Sequence, residues 1–200
     1  MHALPKIVSQ DEWEFEIDAL RRQEKALTRA HDAANAMRRR LPMVKVAKSY
    51  EFDGEAGKMS LLDLFSHRKQ LIVYHFMFGP DAEAGCPGCS WVTEAMSHPA
   101  HLHARDTSLV LISRASIEKL VAFRARMGWG VSWYSSLHRD SNYDFNATNA
   151  AGENHVTSVF LRDGNDGMIN TRSDTLSWWV ADCRLCAASR KLLRRLEASR

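Results

Sequence analysis

No stretch of this 200-residue sequence is long enough and apolar enough to cross a membrane. The longest apolar run, LIVYHFMF at 71–78, carries a histidine. The opening residues, MHALPKIVSQDEWEFE, lack the basic segment, apolar segment and small-residue cleavage site of a secretory signal. These absences predict a cytoplasmic chain. Charge of one sign is also in short supply: 27 Lys and Arg face 24 Asp and Glu, a formal net charge of +3. Such a balance provides no broad basic face for nucleic acid, and neither a nucleic-acid nor a membrane partner is expected. Internal repeats, low-complexity tracts and flexible linkers are missing too. Cysteine is scarce, at four residues, but the four fall into two CxxC pairs, Cys86/Cys89 and Cys183/Cys186. In a reducing compartment such pairs are redox-active or metal-binding more often than they are structural staples.

What is present reads as one globular chain, 45% hydrophobic and 26% charged. Ser9 followed by Glu12 has the form of a capping box. It predicts a helix from about 10 to 40, stopped by Pro42. Trp13, Ile17, Leu20, Glu24, Leu27, His31, Ala34, Arg38 and Leu41 follow heptad spacing with polar interruptions. Such a helix packs on its own domain or on a second copy, so a homodimer through it is one expected partnership. Residues 1–42 are therefore read as a helical extension and 43–200 as the main domain.

In that domain, extended segments near 43–46 and 50–53 precede a turn capped by Ser60. LIVYHFMF is apolar almost throughout, as a central strand covered on both faces must be. GPDAEAG then leads into CPGC and a helix of about 87–97. SLVLISRA (108–115) is a second buried strand, and Ser116 caps a helix carrying Leu120, Phe123 and Met127 that ends at Gly128. Residues 129–155 read as polar and irregular. VTSVFLRDGNDGMINTRS reads as a β-hairpin, and about 174–198 as a basic helix. The fold class is α/β, a mixed sheet flanked by helices with a long N-terminal helix.

The GCPGCS stretch at 85–90 carries the chemistry. Cys86 follows a buried strand and opens a helix, where backbone N–H groups lack intrahelical partners and carry partial positive charge. A thiolate is favoured there. Pro87 suits the first helical position, Gly88 keeps the surface beside the sulfurs small, and Cys89 lies one turn on, within reach of a disulfide. The expected roles are Cys86 as nucleophile and Cys89 as resolving thiol. Two buried cysteines without chemistry are the plain alternative.

Other constellations are weaker. Cys183 and Cys186 share a helix face; they are idle thiols, a shuttle for the first pair, or half of a four-cysteine zinc site. His98, His101 and His103 in HPAHLH invite a metal reading but fit a surface turn. His75 and His155 are candidate neighbours of a thiolate. Trp91, Trp129 and Trp133 are either core or cleft walls, and Arg114 and Asp163 are candidates for a buried ion pair.

The order of elements, together with EKALTRAHDA, YHFMFGPDAEAGCPGCS, HLHARD, LISRAS, RMGW, WYSS and SVFLRDG, resembles the bacterial family labelled domain of unknown function 899, a branch of the thioredoxin-like superfamily. The likeness covers about residues 10–172. It implies a thioredoxin-like fold; within that fold the CPGC pair itself reads as a thiol-disulfide oxidoreductase needing neither metal nor organic cofactor. The electron donor would be a small thiol or a dithiol protein. The wider pattern also resembles peroxiredoxins, with Pro80 ahead of Cys86. Two of their features are missing: the loop hydroxyl (the chain has Asp81, Ala82, Glu83, Ala84 and Gly85) and the arginine before the later strand, where Glu153-Asn154-His155 stands. Thioredoxins place a cis-proline beside the sulfurs; here Val156, Thr157 or Ser158 occupies that place, with a trans peptide expected. The expected site is thus Cys86 and Cys89, walled by Pro80, Pro87, Gly88, Trp91, Trp129, Trp133, His155, Val156 and Thr157. Two other functions remain open, a thiol peroxidase and a non-enzymatic module that binds a ligand or a protein.

Overall fold

The computed structural model describes residues 4–96, 98–163 and 167–173. The Cys183/Cys186 pair and the expected C-terminal helix lie outside the described residues. Backbone contacts divide the chain after Leu41. In the first unit, helix α1 (Gln10–Arg38) starts where the Ser9 side chain accepts from the Glu12 amide, with Asp11 and Glu12 in its first turn and Arg38 in its last. Among the described residues no helix is long and apolar enough to cross a membrane.

The second unit is built on an eight-stranded sheet. Its strands are β1 (Val44–Lys45), β2 (Glu51–Gly54), β3 (Gly57–Ser60), β4 (Gln70–His75), β5 (Thr107–Ser113), β6 (Ser132–Ser135), β9 (Val156–Asp163) and β10 (Gly167–Ser173). They lie in the order β1-β10-β9-β4-β5-β6-β2-β3. The separate pair β7 (Thr148–Asn149) and β8 (Gly152–Glu153) forms a small hairpin. Strands β4, β5 and β6 run parallel, and β9 joins β4 antiparallel, so the sheet is mixed as the sequence predicts.

Every residue of β4 and β5 is buried, because both faces are covered. Alternation sends Ile72 and Tyr74 to one face and Leu71 and Val73 to the other. The first face packs with Leu109, Leu111, Leu120, Phe123 and Trp133 under helices α2 (Pro87–Ala95), α3 (Pro99–His103) and α4 (Ile117–Met127). The second packs with Phe52, Leu61, Leu64, Phe65 and Phe160, and with Phe145, which ends α5 (Ser141–Asp144).

Local chemistry sets the boundaries. Ser116 accepts from the Lys119 amide to start α4, and Gly128, at φ +68°, ends it. Ser60 and Asp63 cap each other reciprocally: the Ser60 amide and hydroxyl donate to the Asp63 carboxylate, and the Asp63 amide donates to the Ser60 hydroxyl. Those bonds hold the Asp63 carboxyl below its ordinary range. The structure adds β3, β6, β7 and β8 to the predicted strands, the last three within the segment 129–155 expected to be irregular. It also turns HPAHLH into a short helix with its own cap, the His98 ring accepting from the Ala100 amide and Leu102 buried beneath.

Candidate active site

The residue before a proline is steered away from helical geometry, and Cys86, at φ −56° and ψ 127°, is the N-cap of α2, with Pro87 at its first position. The Cys86 amide donates to the Met77 carbonyl at 3.0 Å, tying the exit of β4 to the start of α2. The loop between them is held twice more. The Lys119 ammonium donates to the Pro80 and Ala82 carbonyls at 2.9 and 3.1 Å. Gly85 lies against the rings of Phe76 and Phe123. On the helix, the Ser90 amide and hydroxyl both donate to the Cys86 carbonyl, and the Thr93 hydroxyl donates to the Cys89 carbonyl.

Both cysteines are free thiols, and their surroundings differ. Cys86 is half-buried, beside the exposed Pro87 and Gly88. Cys89 is 3% exposed, within the apolar core under α2. Burial pushes the Cys89 thiol up; the Tyr74 hydroxyl and the Met77 backbone pull against that shift, and the Cys86 sulfur beside it adds a smaller upward push. The two sulfurs are neighbours, one facing outward and one inward.

The sequence profile of the family described as "Bacterial protein of unknown function (DUF899)" matches residues 2–175. The chain belongs to that family. No curated protein matches the sequence. Among solved structures, this DUF899 chain is similar to the peroxidoxin BcpB from Mycobacterium tuberculosis, with a TM-score of 0.51 at 15% identity over 74% of this chain and 96% of that one. A yeast mitochondrial 1-Cys peroxiredoxin aligns with a TM-score of 0.45 at 16% identity over 64% of this chain and 65% of that chain, so the DUF899 chain spans just under two thirds of it. A secreted Mycobacterium tuberculosis disulfide oxidoreductase homologous to DsbE of E. coli aligns with a TM-score of 0.43 at 14% identity, over 63% and 83%. The first of these likenesses shows the thioredoxin-like fold.

The expected walls of the DUF899 site are placed unevenly. Pro80 is half-buried in the clamped loop. Thr157 is buried and pairs in register with Tyr74, and Val156 pairs with His75. No peptide bond among the described residues is cis. Trp133 is core: it is 2% exposed, its ring nitrogen donates to the Ser113 hydroxyl, and it packs on Phe76 and Phe123. Trp129 is half-buried on the same aromatic cluster. Trp91 is 72% exposed and His155 is exposed. His75 points to the opposite face, hydrogen-bonded to the Ser158 hydroxyl at 3.1 Å and packed by Phe145. No group of three or more metal-ligating side chains forms among the described residues.

Arg114 pairs with Glu153 at 2.9 Å; the side chain of Asp163, its expected partner, lies outside the described residues. The second Glu153 oxygen accepts from the Thr148 hydroxyl. Glu153 of β8 thus ties Arg114 to Thr148 of β7. Three residues of the site escape sequence reasoning: Gly85, Lys119 and Tyr74. Of these, Tyr74 alone leaves a trace, as a polar-tipped side chain inside an apolar strand that needs a partner when buried.

Proposed function

We propose that this chain is a thiol-disulfide oxidoreductase, with Cys86 attacking and Cys89 resolving. The reading rests on one observation above all: two adjacent free sulfurs at a helix start, the outer half-buried and the inner sealed from solvent. That asymmetry suits a two-step exchange. The Cys86 thiolate attacks a disulfide RS–SR′, forming Cys86–S–S–R and releasing R′S⁻. Cys89 then loses its proton and attacks the Cys86 sulfur, the bond to R breaks, and RS⁻ leaves. The pair gives up two electrons, and a small thiol or a dithiol protein returns them.

The loop ahead of Cys86 favours exchange over peroxide reduction. Asp81, Ala82, Glu83 and Ala84 offer no hydroxyl to orient a peroxide, and the nearby Arg114 is engaged by Glu153. The ordering of the sulfurs is checked by alkylation of the full chain carrying Cys183→Ser and Cys186→Ser. Under native, reducing conditions iodoacetamide is expected to label Cys86 first, with Cys89 labelled only after unfolding. Comparable native labelling of both, or inert thiols throughout, would contradict the assignment.

A further inference from the structure

Tyr74 is the penultimate residue of β4, flanked by Leu111 of β5 and Thr157 of β9. Its side chain is 1% exposed. The hydroxyl is cut off from solvent and makes no hydrogen bond of good geometry, yet it is close enough to interact with the Cys89 sulfur. A buried polar group without a full partner destabilises the fold. Phenylalanine would fill the same space without that penalty, so packing alone does not account for the hydroxyl.

We propose that Tyr74 is the third member of the site, its hydroxyl donating a hydrogen bond to the Cys89 sulfur as that sulfur becomes a thiolate during disulfide closure. The inference rests on the cysteine pair closing to a disulfide. In the closing step the Cys89 proton passes to solvent, Cys89 attacks the Cys86 sulfur of the mixed disulfide, and the departing thiolate takes a proton from solvent. Tyr74 keeps its own proton throughout. Burial and the neighbouring Cys89 both push the phenol well above its ordinary range, which suits a donor that never ionises. The titratable groups acting on it are Cys89 and, more weakly, Cys86. The core cluster it belongs to, which includes Leu111, Leu120, Phe123, Trp133 and Val159, carries no charge, and His75 faces the other side of the sheet.

The test uses the full chain with Cys183→Ser and Cys186→Ser, loaded at Cys86 with the coloured thiol 5-thio-2-nitrobenzoate. Attack by Cys89 releases the colour, and the release rate is followed against pH. Adding Tyr74→Phe is expected to slow release about tenfold at neutral pH and to move the midpoint about one pH unit upward, the equivalence of a tenfold change. The rate of Cys86 alkylation should stay unchanged, and the melting temperature of the reduced protein should hold or rise. Equal release rates and midpoints with and without the hydroxyl would overturn the role of Tyr74 and leave the pair chemistry intact. No release even with Tyr74 present would overturn both.

Discussion

Cys86→Ser is expected to reduce disulfide exchange to the rate of buffer alone, whereas Cys89→Ser should complete one attack and stop with the substrate thiol bonded to Cys86. The difference follows from where the two sulfurs sit. Cys86 caps α2 at the mouth of the clamped loop, next to the exposed Pro87 and Gly88. Cys89 is enclosed by apolar side chains, and burial holds its thiol protonated more firmly than usual. With Cys86 removed, the remaining thiol is shielded and poorly ionised, so an incoming disulfide meets no nucleophile. With Cys89 removed, the outer thiol still attacks, but nothing expels the bound half of the substrate. Mass spectrometry after incubation with glutathione disulfide reads both outcomes, using the Cys183→Ser, Cys186→Ser background. One glutathione should remain on Cys89→Ser and none on Cys86→Ser. Stable glutathione on Cys86→Ser would reverse the roles.

The second large effect is structural. Gly85→Ala should destabilise the domain by about 1–3 kcal/mol, the usual cost of forcing extra volume into a packed core. A methyl group at Gly85 would sit 2.7 Å from one ring carbon of Phe76, 3.0 Å from another and 3.2 Å from a Phe123 ring carbon. Neither ring has room to yield. Phe76 is 1% exposed and lies among Phe123, Trp129 and Trp133, its ring centre 4.7 Å from that of Trp133. Relief has to come from the loop, and the loop carries Cys86. Urea unfolding should therefore register lower stability, and native alkylation of Cys86 should change with it. A variant within about 0.5 kcal/mol of the parent, the range of neutral surface changes, would show that the loop is looser than the packing implies.

Much of this arrangement can be read in the chain because the signals are local. Ser9, Ser116 and Gly128 mark helix ends by their own chemistry, and all three act as caps. LIVYHFMF reads as a strand covered on both faces, and β4 is one. CPGC after such a strand reads as a helix start, and Cys86 is that N-cap. The failures share a cause, dependence on partners remote in sequence. Strand β6 reads SWYS, with a serine at each end and no clear alternation, and Ser135 is buried because its hydroxyl donates to the Ala115 carbonyl twenty residues away. Strand β3, with the sequence GKMS, is a strand because β2 pairs with it. Trp133 reads as core or cleft wall from the sequence, and the pairing of β5 with β6 places it in the core. Tyr74 cannot be linked to Cys89 from sequence either, since they are fifteen positions apart and meet only through the packing of α2 onto β4.

If the two sulfurs of CPGC work as one reversible couple, a glutathione redox titration with peptide mapping will show it. The full chain with Cys183→Ser and Cys186→Ser is equilibrated across reduced-to-oxidised ratios, quenched with acid and mapped. The expected result is a single two-electron transition between the dithiol and a disulfide joining Cys86 to Cys89, fully reversed by excess thiol. Thiols that persist at the oxidising end, or glutathione resting on Cys86 beside a free Cys89, would contradict it.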